Sequence, residues 1–251
     1  MPNPAAPAIA PLSRSPRHIG IVGCSAEGAA LCYRTICAEA PAWLGAHAHP
    51  EVSMHTPSLA AYVDCLDRGD LDGVAALMLD SARRLQAAGA DFLICPDNTI
   101  HQAFGRVQPR SPLPWLHIAD EVAAEAQRRG FRRIGITGTA WLVGSDVYPA
   151  ALARQGLAWE RPDDTQRATM GRLIMDELVG GVFRPDTVAF FQAVIEGFAQ
   201  RGCDAVVLGC TEIPLIIGDY NAALPTLDST RLLARAALRR AVGADGAPPV
   251  R

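Results

Sequence analysis

The segments "DFLICPDNTI" (91–100) and "DAVVLGCTEI" (204–213) lie over one another without a gap. Asp91 falls on Asp204, Ile100 on Ile213, and Cys210 on Asp97, while Cys95 is two residues too early to match. Each segment opens on aspartate, runs through apolar residues and ends in a polar cluster. A short apolar run bounded by turn residues reads as a buried strand of a parallel sheet. A second pair behaves the same way: "HIGIVGCS" (18–25) and "RIGITGTA" (133–140). The first pair is offset by 113 residues and the second by 115. Two elements recurring in one order at near-constant offset predict a duplicated α/β unit.

Helical patterns separate these runs. In "LDGVAALMLDSARRLQAAG" (71–89), Val74, Leu77, Met78 and Leu85 share a face, and Gly89 is placed to end the helix. In "DTVAFFQAVIEGFAQRG" (186–202), Phe191, Val194, Ile195 and Phe198 do the same, and Gly202 ends it. Each helix leads straight into one of the two opening segments. Asp97 and Cys210 therefore sit just past the carboxyl ends of strands, the edge where open α/β sheets bind ligands. "EVSMHT" (51–56) reads as a further strand. "SPLPWLHIADEVAAEAQRRGF" (111–131) crosses between units, and "PTLDSTRLLARAALRRAV" (225–242) supplies a last strand end and helix. The expected layout is two α/β lobes, each a parallel sheet flanked by helices, with the site in the cleft between them. The first lobe takes 18–113 plus 226–243, since the last helix is expected to pack back on it. The second takes 114–225. Residues 1–17 and 244–251 are rich in Pro, Ala and Gly and read as disordered tails.

Composition narrows the function. A net charge of −3 with interspersed signs, and no basic patch with interleaved aromatics, speaks against nucleic acid. No apolar run approaches the ~20 residues that span a bilayer. The start lacks the basic and apolar regions of a signal peptide, so a cytoplasmic location is expected. There the seven cysteines stay reduced, and their odd number and spacing fit neither a disulfide framework nor a zinc site. The sequence has no lysine. That excludes the usual pyridoxal-phosphate Schiff base, a Walker-type phosphate loop and any lysine nucleophile. His47, His49 and His55 lie close in sequence without an Asp/Glu partner pattern, so no metal site is read.

Cys210, in "LGCTEIP", reads either as a buried structural thiol or as a thiolate whose pKa is lowered by a following helix start. Asp97, in "CPDNTIH", is ordinary turn chemistry or a proton-transfer group. Its match with Cys210 favours the second: two such groups across a cleft reach both faces of a planar carbanion. Asn98, Thr99 and Thr211 add neutral donors suited to a carboxylate or enolate. "VGCSAEG" (22–28) is a small-residue turn that permits close approach of a ligand without the GxGxxG pattern of a dinucleotide site.

With these residues in hand, the sequence resembles the aspartate/glutamate racemase superfamily, over residues 18 to about 242. "VVLGCTEIP" fits the family's second cysteine motif. "LICPDNTIH" fits the first except at its key position. "IGIVG", "SMHT", "IGITGT", "SDVY" and "LPTLDST" follow in the family's order. The branch most similar is the broad-specificity amino-acid racemases, which implies an amino-acid racemase of aspartate/glutamate type. The resemblance implies a cofactor-independent enzyme of two pseudo-symmetric lobes, working as a homodimer on a small amino or carboxylic acid. By position it implies that Cys210 and Asp97 are catalytic. Asn98, Thr99 and Thr211 then hold the substrate carboxylate, and Gly23, Cys24, Ser25, His55, Thr56 and Thr139 form the pocket. Two departures stand out. Asp97 replaces a cysteine, and a basic residue that binds an acidic side chain falls at Thr169, with Arg167 nearby. A racemase, a one-cysteine decarboxylase or isomerase, and a non-catalytic carboxylate-binding relative are all compatible with this pattern.

Overall fold

The computed structural model describes residues 15–244. The expected tails fall almost wholly outside these. Within them, Arg17 N–H donates to the Ala241 carbonyl at 2.9 Å.

The described residues form eight strands: β1 (Ile19–Val22), β2 (Val52–His55), β3 (Phe92–Ile94), β4 (Trp115–Leu116), β5 (Arg133–Gly138), β6 (Ala158–Glu160), β7 (Ala205–Gly209) and β8 (Thr226–Asp228). They make two four-stranded sheets, ordered β2-β1-β3-β4 and β6-β5-β7-β8. Every neighbouring pair is parallel. The duplication extends to register. Ile19 faces Phe92 in the first sheet, and Ile134 faces Ala205 in the second. These partners are related by the same 115- and 113-residue offsets that the sequence repeats show. The central strands are buried along their apolar residues, as expected where helices cover both faces of a parallel sheet.

Two boundaries need correction. Strand β4, assigned above to the second lobe, is the edge of the first sheet, and β8, assigned to the first, is the edge of the second. Pro114 and Pro225 precede these strands and offer their carbonyls to Leu93 and Val206. A residue with no N–H is tolerated at the start of an edge strand, so each proline leads into the sheet it follows.

The helices then cross. The helix Ile118–Arg128 follows β4, yet its Val122, Ala123 and Ala126 pack with Ile134, Ile136 and Val207 of the second sheet. The helix Ser229–Val242 follows β8, yet its Leu233, Ala234 and Ala237 pack on Ile21, Phe92 and Ile94 of the first. Each lobe thus lends the other a helix. The two helices that precede β3 and β7 span Leu71–Ala87 and Pro185–Gln200. They bury the expected faces, except that Leu77 is only partly covered. Both end on a glycine in the left-handed region, Gly89 and Gly202.

Candidate active site

The carboxyl ends of the central strands of the two sheets meet. Ser25 Oγ, just past β1, lies 3.1 Å from Thr211 Oγ1, just past β7. Thr99 Oγ1, past β3, lies 2.8 Å from Thr139 Oγ1, past β5. Both hydroxyl pairs are buried. Ser25 and Thr139 also cap the helices that begin at Ala26 and Ala140, accepting from Gly28 N and Leu142 N. The approach depends on Gly28: a Cβ there would stand 2.4 Å from the Thr211 methyl.

Between these contacts lies a cavity of about 40 Å³. At ~10–15 Å³ per water this is room for about three waters. Cys24, Ser25, Asp97, Asn98 and Thr99 line it from the first lobe, and Thr139, Cys210 and Thr211 from the second. Gly23, His55 and Thr56 do not line it, contrary to the expectation for those three. They belong to the β1 end and the edge strand β2, one layer back. A Cβ on Gly23 would meet Thr56 Oγ1 at 2.5 Å, and His55 Nδ1 pairs with Ser81 Oγ at 2.9 Å.

Cys210 Sγ donates to Glu212 Oε2 at 2.8 Å, and Thr211 Oγ1 donates to the same oxygen at 2.7 Å. Burial pushes the Cys210 thiol well above its ordinary pKa, and the Glu212 charge adds to this. The helix expected to lower it is a three-residue 3₁₀ turn, Ile213–Leu215, too short to offer a useful dipole. Glu212 is itself buried and lines the cavity. Nothing in the local sequence signals that the Glu212 carboxylate turns back on the cysteine two residues before it.

Asp97 is partly buried, and Oδ1 accepts from Ile100 N at 3.2 Å. Desolvation pushes its carboxyl up to about 6, with the Glu212 charge across the cleft acting in the same direction. Its carboxyl shares the cavity wall with the Cys24 thiol, whose pKa is raised well above its ordinary value by burial and then by the Asp97 charge. The Asp97 carbonyl receives Cys95 Sγ at 3.7 Å and pairs with His101 Nδ1 at 2.7 Å. Burial keeps His101 neutral, its pKa lowered to about 3. It braces the loop. Asn98 is braced as well: its amide donates to Ser229 Oγ at 3.0 Å and accepts from Tyr148 OH at 2.6 Å.

The rest of the wall is apolar: Leu59, Val63 and Leu66 on one side, Trp141, Ile174 and Met175 on the other. Among the described residues no arginine lines the cavity. Arg167, a candidate for binding an acidic side chain, pairs instead with Asp164 at 3.0 Å, and neither it nor Thr169 reaches the lining. Among the described residues no group of three or more His, Cys, Asp or Glu side chains could hold a metal ion. No helix there is long and apolar enough to cross a membrane.

Comparison with known proteins agrees with this geometry. The broad specificity amino-acid racemase RacX of Bacillus subtilis is 25% identical over 170 residues, covering 66% of this chain and 71% of that protein. An aspartate racemase homologue from Pyrococcus horikoshii superposes with a TM-score of 0.77 at 26% identity, over 90% of this chain and 99% of that one. The aspartate racemase of Picrophilus torridus shares the fold, with a TM-score of 0.70 at 21% identity over 90% and 94% of the two chains. The sequence profile described as Asp/Glu/Hydantoin racemase matches residues 19–237. With two parallel sheets meeting at a shared cavity and that match along nearly its whole length, the chain belongs to the Asp/Glu/hydantoin racemase family.

Proposed function

We propose that this protein is a cofactor-independent amino-acid racemase that moves the α-proton between Cys210 and the first half-site at Asp97. One observation carries the reading: two matched positions of a duplicated unit, one bearing a thiol and the other a carboxyl, line a single cavity from opposite lobes. Removal of the α-proton from one face puts charge on the substrate carboxylate, and return from the other face inverts the centre. The hydroxyls of Ser25, Thr99, Thr139 and Thr211 surround that carboxylate without charge, and backbone N–H groups at the strand ends add donors. The α-ammonium group finds its counter-charge in Asp97 and Glu212.

The apolar wall, and the lack of a lining arginine among the described residues, favour an amino acid with an uncharged side chain over aspartate or glutamate. An acidic side chain would meet Leu59, Leu66 and Trp141 and leave a buried carboxylate unpaired, at a cost of several kcal/mol. A location in the cytoplasm and assembly as a homodimer belong to the same reading, on the strength of the family resemblance. Light scattering on the purified protein tests the second.

Polarimetry over a panel of L- and D-amino acids tests the activity. Loss of rotation with an apolar member of the panel, faster than with aspartate, is the expected result. Turnover to a new product without loss of rotation points instead to a one-cysteine decarboxylase or isomerase. Binding without either leaves a non-catalytic carboxylate-binding protein.

A further inference from the structure

We propose that the first-lobe atom that meets the substrate's α-carbon is the sulfur of Cys24, and that Asp97 is the carboxylate that charges and discharges it. This rests on the racemase reading and deepens it. In the second half-site a thiol and a carboxylate act as a pair, Cys210 with Glu212 at 2.8 Å. The first half-site places the same two groups on its wall of the cavity, the Cys24 thiol and the Asp97 carboxyl, close enough that the Asp97 charge adds to burial in raising the thiol's pKa. All four residues line the one cavity. The two half-sites are therefore alike in chemistry and differ in which strand supplies which group. In the second, β7 and its loop supply both. In the first, β1 supplies the sulfur and β3 the carboxylate.

Position supports the pairing of the two sulfurs. Each cysteine is followed directly by a hydroxyl residue, and those hydroxyls, Ser25 and Thr211, are 3.1 Å apart. Cys24 and Cys210 thus flank one inter-lobe contact. The other cysteine nearby, Cys95, is fully buried, donates to a backbone carbonyl and does not reach the cavity. Two thiols are also a matched pair. A carboxylate opposed to a thiol differs from it by about four pKa units in ordinary surroundings, whereas two buried thiols, each beside a carboxylate, share one environment.

The proton steps balance. Cys24 passes its proton to Asp97, leaving a thiolate and a carboxylic acid. The thiolate takes the α-proton, so an S–H bond forms as the C–H bond breaks, and the electron pair enters the substrate carboxylate as an enolate. Cys210 then gives its proton to the opposite face, becoming the thiolate. That form of the enzyme binds the other enantiomer and runs the sequence in reverse.

The test uses Cys24→Ser, which keeps a hydroxyl against Asp97, and the amino acid that the wild type racemises fastest. Exchange of the α-proton in D₂O is followed by NMR from each enantiomer separately. The expected result is loss of racemisation by about 10²-fold or more, with exchange persisting from only the enantiomer that Cys210 faces. A merely structural sulfur would not produce that one-sided loss. Racemisation at the wild-type rate in Cys24→Ser, with Cys210→Ala inactive, overturns this inference and leaves the racemase reading standing. Absence of exchange in the wild type with every amino acid overturns both. Should Cys24→Ser fail to fold, alkylation of the wild type by iodoacetamide, read by mass spectrometry, decides. Cys24 is expected to label faster than Cys95, with a rate that bends near pH 6 and loses the bend in Asp97→Asn. Equal labelling of Cys24 and Cys95 overturns the inference.

Discussion

The two half-sites share strand order, register and offsets, but they arm themselves differently. In the second lobe, thiol and carboxylate come from neighbouring residues on one loop, Cys210 and Glu212. In the first they come from two strands, Cys24 and Asp97. A duplicated backbone therefore preserves which strand ends face the shared cavity more strictly than which position carries the thiol. What both halves keep is a hydroxyl contact across the cleft and a carboxylate beside a sulfur. What differs is the local surroundings of each carboxylate, and the pH behaviour follows from that.

Four substitutions break this comparison at different points. Cys210→Ala removes the sulfur of the second half and is expected to lower kcat by about 10²–10⁴-fold, the range of a positioned acid–base group. Steady-state polarimetry measures it. Asp97→Asn removes the carboxylate of the first half. Because that carboxyl must ionise to take a proton, kcat/KM in the wild type rises with pH through about 6, and this limb disappears in Asp97→Asn along with about 10²-fold of activity.

The same substitution moves stability the other way. Asp97 has its folded pKa raised from 3.8 to about 6, so its contribution is fully present below pH 4 and is lost as pH rises through 6. The two-unit shift corresponds to about 3 kcal/mol at pH 7. Asn keeps the acceptor for Ile100 N–H without the charge. Denaturant melts are therefore expected to show Asp97→Asn more stable than wild type by about 1–3 kcal/mol at pH 8, with the difference gone near pH 4.

Glu212→Gln takes the charge from beside Cys210. That charge raises the thiol's pKa, so its removal moves the alkaline limb of the rate profile toward lower pH, as full pH profiles of the two enzymes will show. The smallest effect belongs to the contact that joins the halves. Gly28→Ala puts a methyl 2.4 Å from that of Thr211. It is expected to cost about 1–3 kcal/mol in urea melts, and to slow turnover by prising the lobes apart.

Much of the fold was legible in the sequence because it is written in local patterns. The β1, β3, β5 and β7 runs, their offsets and the apolar faces ending at Gly89 and Gly202 all follow from periodicity and turn chemistry over a few residues. The edge strands were harder. β4 and β8 have two and three residues, too few to show a period, and only their partners reveal which sheet they join. In the site, the places of Asp97 and Cys210 on the cavity wall were legible through the repeat, which marks equivalent positions without reference to contacts. The meeting of Cys24 and Asp97 on one cavity wall was not, because these residues lie 73 apart and their local context gives no sign of it. Glu212 escaped for the opposite reason. It sits beside the motif, where a solvated carboxylate is the ordinary outcome, and only the fold shows it turned inward. His55 and Thr56 were drawn into the pocket by their place at a strand end, yet theirs is an edge strand.

The central claim is that a racemising centre passes between donors on opposite lobes, each holding its own proton. Early in a reaction run in D₂O from one pure enantiomer, the account predicts deuterium at the α-carbon of the product enantiomer and protium in the starting enantiomer that remains. Deuterium entering the starting enantiomer as fast as the product would contradict it, since a single group would then be serving both faces.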